Sequence, residues 1–262
     1  MVEWLSSATV RRRGVGCAAV ALFVGLATTG CGADPAVHDG DLVVFAASSL
    51  TEAFTEMGEA FAAEFPGVSV TFNFAGSGDL VTQIVEGAPA DVFASADDSN
   101  MAKLTDAALQ AGEPVVIARN TFQIIVEPGN PKGITGVADL TDPDLVVVLC
   151  ADNVPCGKGA AAILEQAGAT VTPKSLEEKV KGVVTKVTAG EADAGIVYVT
   201  DVQAAGAAAE GVDIAADVNV TNNYPIVVTE DAPNADTAQA FVDFVAGAAG
   251  QAILAKYGFL AP

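Results

Sequence analysis

Residues 41–65 have the sequence DLVVFAASSLTEAFTEMGEAFAAEF, and this stretch decides the fold. Its first seven residues, 41–47, form a continuous apolar run of strand length, whereas the apolar residues from Leu50 to Phe65 recur at helical spacing. The pattern predicts a buried strand followed directly by a helix. A strand that is apolar on both faces belongs in a sheet covered by helices on both sides, so the stretch predicts an α/β fold.

The same alternation of strand and helix patterns continues along the chain. Further strands are predicted at 68–74, 91–95, 115–118, 122–126, 145–149, 194–199 and 226–229. Helices are predicted over 79–86, from near Gly157, from near Lys179, and from near Asp236 towards Lys256. This order favours parallel sheets flanked by helices. No internal repeat or low-complexity linker divides the sequence, although two lobes are compatible with it.

The composition excludes several classes of protein. The chain has 262 residues, of which 51% are hydrophobic and 17% charged, so it is neither disordered nor collagen-like. Its 33 Asp and Glu outnumber its 12 Lys and Arg, which gives a formal net charge of −21. Nucleic acid is therefore not an expected partner, because nucleic-acid binding depends on Lys and Arg that neutralise phosphates.

The first thirty residues have the features of an export signal. Arg11 to Arg13 precede an uncharged apolar stretch at 14–26, which is too short to span a bilayer core of about 30 Å. Gly30-Cys31 then resembles the processing site of bacterial lipoproteins, in which the cysteine is lipidated. Thr28 stands where that pattern usually has Leu, so a plain secretory signal remains the alternative. We expect a signal peptide at 1–30, a lipid on Cys31 and a tether at 31–40.

The scarcity of histidine excludes several chemistries. The single histidine, His38, falls in the expected tether. A Ser-His-Asp or Cys-His enzyme, a zinc hydrolase and an imidazole-ligated metal carrier all need histidine inside the fold. The only tryptophan, Trp4, would leave with the signal peptide, which makes a stacking sugar site less favoured.

Two cysteines remain in the expected mature domain. Cys17 would leave with the signal peptide and Cys31 would take the lipid, so Cys150 and Cys156 form the only pair. Export permits a disulfide between them. Two free thiols and a two-cysteine metal site are the alternatives.

Three strand-to-helix turns are rich in small, hydroxyl and glycine residues, at 46–52, 76–79 and 154–159, and a fourth turn, at 177–182, opens a helical stretch. Ser49 and Glu52 have the spacing of a capping box, and the glycines at 76 and 78 would allow unusual backbone angles or close approach. Each helix start presents backbone N–H groups that lack an intrahelical acceptor. One such turn is explained by a structural role alone, whereas several at one cleft would make an anion site without basic side chains.

The order of these motifs resembles the molybdate-binding proteins of bacterial ABC importers, which are related to sulfate-binding proteins. The resemblance extends from Leu42 to Phe259. The motifs that carry it are FAASSL at 45–50, GSG at 76–78, EGAPADVF at 86–93, VPCG at 154–157, GEADAGIVY at 190–198 and KYGF at 256–259.

The resemblance implies a two-lobed periplasmic-binding-protein fold of type II, an α/β fold of mostly parallel sheets flanked by helices. The chain would cross twice between the lobes. Lobe one would comprise 41–119 and 224–262, and lobe two would comprise 120–223. The oxyanion would lie in the cleft between them.

The resemblance also implies a set of ligand-binding residues. Ser49 and Ser77 would supply hydroxyl and backbone donors from lobe one. The backbone N–H groups of Cys156 and Val180, together with the Tyr198 hydroxyl, would come from lobe two. Without the resemblance, Val180 and Tyr198 would be interpreted as core residues. The role of the neighbouring Ser48 stays open, and the family often has Ala where Cys156 stands.

The implied function is capture of molybdate, and of tungstate, outside the cytoplasm and delivery to a membrane permease driven by an ATPase. The protein would be a lipid-anchored monomer without cofactor or catalytic activity. A binding protein for sulfate, another tetrahedral oxyanion or a chelated metal is the nearest alternative. An exported enzyme with Ser49 or Ser77 as nucleophile, or an adhesion module, would be a different class of protein.

Overall fold

The computed structural model describes residues 40–262. The expected signal peptide, the lipidated Cys31 and the tether up to residue 39 lie outside the described residues. The strands are β1 (Gly40–Ala47), β2 (Val68–Ala75), β3 (Val92–Ala94), β4 (Gln110–Val126), β5 (Val147–Cys150), β6 (Ser175–Glu177), β7 (Ala194–Tyr198), β8 (Glu210–Asp213) and β9 (Thr221–Thr229). The helices are α1 (Thr51–Glu64), α2 (Ser77–Val85), α3 (Asp98–Asp106), α4 (Pro155–Gln166), α5 (Val180–Thr188), α6 (Val199–Ala205), α7 (Ala235–Ala246) and α8 (Ala248–Lys256).

The described strands are hydrogen-bonded in the order β2-β1-β3-β9-β4-β7-β5-β6, with β8 beside β4. β1 is parallel to β2 and β3, and β5 is parallel to β6 and β7. β9 is antiparallel to β3 and β4, and β4 is antiparallel to β7 and β8. The fold is α/β, as predicted. The expectation of mostly parallel sheets does not hold in the middle of the strand order, because β9 and β4 pair with their neighbours in antiparallel fashion.

The strands predicted at 115–118 and 122–126 are parts of one strand, β4, which is 17 residues long. The polar residues 119–121 interrupt the apolar pattern, but their backbone continues to pair with residues 221–223 of β9. From Phe122 onwards β4 pairs with β7, beginning opposite Tyr198. The prediction of two separate strands is wrong, because the polar residues 119–121 change the side-chain pattern without ending the strand.

The spacing of apolar residues in α1 packs this helix against a group of aromatic rings. Phe54 and Phe61 are fully buried and meet Phe241 of α7 edge to face, with ring centroids 6.2 Å and 5.2 Å apart. Each fully buried side chain of this size stabilises the fold by about 1.5–3 kcal/mol. The packing holds α1, and the turn before it, against β1.

The helix predicted from Asp236 towards Lys256 is two helices. Gly247 has an extended backbone conformation, with ψ 176°, which separates α7 from α8. The two helices are bent by 58° relative to each other. No single helix among residues 40–262 is long and apolar enough to cross a bilayer, and α7 with α8 meets the length and composition only as a bent pair.

The contact between α4 and β4 gives a first testable prediction. A Cβ atom on Gly159 would lie 2.1 Å from the buried ring of Phe122, so Gly159→Ala forces the helix away from the strand. We expect a loss of about 1–3 kcal/mol in the free energy of unfolding, measured with urea, even though Ala favours a helix. Gly136→Ala is the matched control, because a Cβ there meets no atom within 4 Å and its φ of −179° suits any residue. Equal stability of the two variants would contradict this packing.

Candidate functional site

Within residues 40–262, five helical segments begin around one small cavity lined mostly by buried residues. A short 3-10 turn begins at Ser48 after β1, and α2 begins at Ser77 after β2. The helices α4, α5 and α6 follow β5, β6 and β7. In both groups of parallel strands, the carboxyl ends therefore lead into helix N-termini that face the same small volume.

All five residues predicted to bind the ligand line this cavity. Each is almost fully buried, with exposed fractions of 4% for Ser49, 1% for Ser77, 3% for Cys156, 2% for Val180 and 1% for Tyr198. Ser48, whose role the sequence left open, also lines the cavity, as do Ala96 and Lys179, which the sequence did not single out. The structure brings together the complete predicted set.

The helix N-termini at the cavity have no side-chain caps. The residues that precede these five segments, all of them within the described part of the chain, make no side-chain capping hydrogen bond; they are Ala47, Gly76, Val154, Lys179 and Tyr198. At α3, which does not begin at the cavity, Asp97 does cap the helix by accepting from the N–H of Asn100. First-turn N–H groups lack an intrahelical acceptor and carry the positive end of the helix dipole. The cavity is therefore suited to an anion.

The capping box predicted from Ser49 and Glu52 is wrong. The Ser49 hydroxyl lies 3.0 Å from the Tyr224 hydroxyl, and Glu52 pairs with Lys181 instead of closing a cap. Both side chains make contacts with residues distant in sequence instead of the local contacts of a capping box. The hydroxyl of Ser49 is thereby held at the cavity.

Two further lining hydroxyls, those of Ser77 and Tyr198, also accept hydrogen bonds from the surrounding protein. Ser77 Oγ accepts a hydrogen bond from the N–H of Ala96 at 3.1 Å, and Tyr198 Oη accepts one from Asn222 Nδ2 at 3.0 Å. Burial raises the pKa of Tyr198 and of Tyr224 well above the ordinary value, so both phenols keep their protons. Sequence reasoning missed Asn222 and Tyr224, because nothing near them resembles a motif.

Carboxylates are absent from the described residues that line the cavity, and Lys179 is the one charged side chain there. Lys179 is exposed at the rim. Lys158 does not line the cavity: its Nζ lies 3.1 Å from Asp97 Oδ2 and so joins α4 to the start of α3. No group of three His, Cys, Asp or Glu residues within 40–262 is placed to hold a metal ion.

One ion-pair group fixes the start of α5. Lys181 Nζ lies 2.8 Å from Glu52 Oε2 on α1 and 3.1 Å from Asp201 Oδ1 on α6. Burial raises the pKa of Asp201 to about 6, and the neighbouring Lys181 limits the rise. Lys181 directly follows Val180, so this group ties the backbone at the cavity to two neighbouring helices.

Gly76 is required for space and not for an unusual backbone angle. Its φ of −63° and ψ of 138° are ordinary. A Cβ at this position would lie 2.3 Å from the carbonyl oxygen of Glu178, just before α5. Of the two properties expected of this glycine, close approach is the one that the structure uses.

Cys150 and Cys156 form a disulfide with their Cα atoms 5.7 Å apart. The bond joins the end of β5 to the first turn of α4. It therefore restrains the loop that brings the backbone of Cys156 to the cavity.

The comparison with known proteins is consistent with this geometry. Residues 42–260 match the family model of bacterial extracellular solute-binding proteins. The chain belongs to that family. It is 44% identical over 230 residues to the molybdate-binding protein ModA of Mycobacterium tuberculosis (strain ATCC 25618 / H37Rv), with 88% of each chain covered. The resemblance to the molybdate-binding proteins of bacterial ABC importers is thus confirmed, and the relatives are solute-binding proteins and not enzymes.

Solved structures show the same fold. The periplasmic molybdate-binding protein of Azotobacter vinelandii is 21% identical with a TM-score of 0.72, covering 84% of this chain and 99% of that one. The sulfate-binding protein SubI of Mycobacterium tuberculosis H37Rv is 18% identical with a TM-score of 0.76, covering 85% and 86%. At these identities the likeness shows the fold alone, and it confirms the predicted periplasmic-binding-protein class.

The disulfide gives a prediction for stability. A double variant, Cys150→Ser with Cys156→Ser, releases a short loop, and we expect the free energy of unfolding to fall by about 2 kcal/mol on the chain-entropy model. Urea unfolding of the wild type with reductant should give the same loss. Reductant should leave the double variant unchanged, and an unchanged wild type in reductant would contradict the expectation.

Proposed function

We propose that the cavity binds molybdate, and equally tungstate, through uncharged hydrogen-bond donors. The observation that carries the proposal is the convergence of five helix N-termini and four buried hydroxyls, those of Ser48, Ser49, Ser77 and Tyr198, on one small volume lined by no described carboxylate. The 44% identical relative is named as a molybdate-binding protein.

The donor set favours anions that carry no proton. Molybdate and tungstate are fully deprotonated dianions at neutral pH and have nearly the same size. Monohydrogen phosphate carries a proton that needs an acceptor, and the lining residues provide no carboxylate for it. Sulfate lacks a proton but is smaller, so its oxygens reach fewer of the donors at once.

Contact interactions must supply the affinity, because a net charge of −21 repels a dianion at long range. Hydrogen bonds to charged groups contribute about 1.5–3 kcal/mol each, so five donors give roughly 8–15 kcal/mol before costs. Desolvation and ordering reduce this sum. Micromolar binding needs about 8 kcal/mol, which the set can provide.

We further propose that the ion is enclosed between two lobes, 41–119 with 224–262 and 120–223. Ser49 and Ser77 belong to the first lobe, and Cys156, Val180 and Tyr198 to the second. The ion pairs of Lys158 with Asp97 and of Lys181 with Glu52 would then hold the lobes together around the ion. The strands β4 and β9, which pair along their length, would carry the chain between the lobes.

The proposed setting is the outer face of the cell membrane. A lipid on Cys31 would anchor a monomer there after the signal peptide 1–30 is removed, with residues 31–40 as the tether. The protein would deliver its ion to the permease of an ABC importer, whose ATPase drives transport. The family's extracellular location supports this setting.

Titration calorimetry of the mature domain tests the ligand assignment. We expect molybdate and tungstate to bind with similar affinity, sulfate to bind more weakly, and phosphate more weakly still. Ser49→Ala and Ser77→Ala should each lose about 1–3 kcal/mol of molybdate binding, because each removes a hydroxyl donor.

Ser69→Ala is the matched control, since Ser69 is exposed on β2 and contacts Asp41. It should bind molybdate like the wild type. Absence of heat with molybdate, or an equal response to phosphate, would refute the proposed function. Stronger binding of sulfate would favour the sulfate alternative.

Closure around the ion predicts an effect at Gly76. Gly76→Ala places a Cβ against the Glu178 carbonyl, so the two sides of the cavity cannot approach fully. We expect the molybdate-induced rise in melting temperature to shrink markedly, while Gly136→Ala keeps the full rise. An unaltered rise in the Gly76 variant would show that closure does not depend on this contact.

A further inference from the structure

A hydroxyl group can donate or accept a hydrogen bond, so the lining hydroxyls, among them those of Ser49, Ser77 and Tyr198, do not by themselves make the cavity a site of donors only. What each hydroxyl presents to a ligand depends on the partner behind it. The partners of Ser49, Ser77 and Tyr198 therefore decide which anions the cavity accepts.

The amide of Asn222 has a fixed orientation. Its Nδ2 lies 2.9 Å from the carbonyl oxygen of Ala96, which can only accept. The same Nδ2 lies 3.0 Å from Tyr198 Oη and must donate there as well. Tyr198 thus receives a hydrogen bond from Asn222, which leaves its own proton for the cavity or for the neighbouring Tyr224 hydroxyl.

The amide of Asn120 is fixed in the same way. Its Oδ1 accepts from the N–H of Thr121 at 3.0 Å, and this backbone group can only donate. Its Nδ2 therefore points to Thr200 Oγ1 at 2.8 Å and towards Tyr224 Oη at 3.5 Å. The contact of Ser49 Oγ with Tyr224 Oη at 3.0 Å allows either hydroxyl to donate, and the amide donor at 3.5 Å from Tyr224 favours donation from Tyr224 to Ser49.

Ser77 receives its hydrogen bond from the N–H of Ala96, which again can only donate. Each of the three hydroxyls is thus supplied with a proton from the protein side. Asn120, Asn222 and Tyr224 do not line the cavity, so they act only through the groups that do.

We propose that Asn222, Tyr224 and Asn120 are positioning residues that determine specificity, because they force the lining hydroxyls of Tyr198 and Ser49 to donate to the ligand. The inference rests on the proposed function. It adds that the discrimination against protonated oxyanions arises behind the cavity and not only from the lining residues.

The test compares two tyrosine variants by calorimetry with sodium molybdate and with inorganic phosphate at neutral pH. Tyr224→Phe removes the donor behind Ser49, whose hydroxyl can then turn and accept the proton of monohydrogen phosphate. We expect molybdate affinity to fall about tenfold and phosphate affinity to hold or rise, so that the preference for molybdate narrows at least tenfold. Tyr257→Phe is the matched control, because its hydroxyl contacts Glu56 Oε2 and not the cavity.

Asn222→Ala provides a second test behind Tyr198 and should narrow the preference in the same direction. Thermal melting in the absence of ligand identifies a variant that does not fold. If Tyr224→Phe or Asn222→Ala fails to fold, the other variant tests the inference. An equal loss for both anions, or no change in either, would overturn the inference. Failure of the wild type to bind molybdate would instead overturn the proposed function, so the two failures are distinguishable.

Discussion

A buried peptide N–H group needs a hydrogen-bond acceptor. The rest of this structure depends on how that need is met at the helix N-termini around the cavity. Helices that begin in the interior leave their first N–H groups without an acceptor of their own. At α3 the protein meets the need with a side chain, that of Asp97, although it leaves α7 and α8 without a side-chain cap. Around the cavity it does not, and the sheet order, the close approach at Gly76 and the disulfide all hold those uncapped ends in place. A tetrahedral anion would meet the requirement.

The arrangement of charged groups around the cavity explains how an acidic protein could bind an anion. A strongly acidic chain would ordinarily be a poor receptor for a dianion. Acidic side chains are kept away from the lining of the cavity, and the acidic groups nearby, such as Asp201 and Glu52, are paired with Lys181. In the function that we propose, recognition would rest on short-range dipoles, whose directions would be set by the groups behind the lining residues. Direction and not net charge becomes the property that selects the ligand.

The sequence predicted those parts of the molecule that depend on local pattern. The strand and helix of residues 41–65 follow from apolar spacing, and the turns before α2 and α4 follow from their small residues. Val180 needed the family resemblance, because a backbone donor leaves no trace in residue type. Asn120, Asn222 and Tyr224 were not found, since their roles arise from strand register between residues about a hundred positions apart. The length of β4 was missed because its polar residues 119–121 are explained only by their tertiary partners, such as Thr200 for Asn120.

The burial of the cavity also has a kinetic consequence. The predicted contact residues are at most 4% exposed, so an ion bound as proposed could leave only when the surrounding helices move. If the two proposed lobes close around the ion, its residence time would be governed by how often the contacts at Gly76, Lys158 and Lys181 separate, and not by the sum of the hydrogen bonds. A membrane partner that pulls these contacts apart could discharge the ion quickly without chemically altering either the ion or its site.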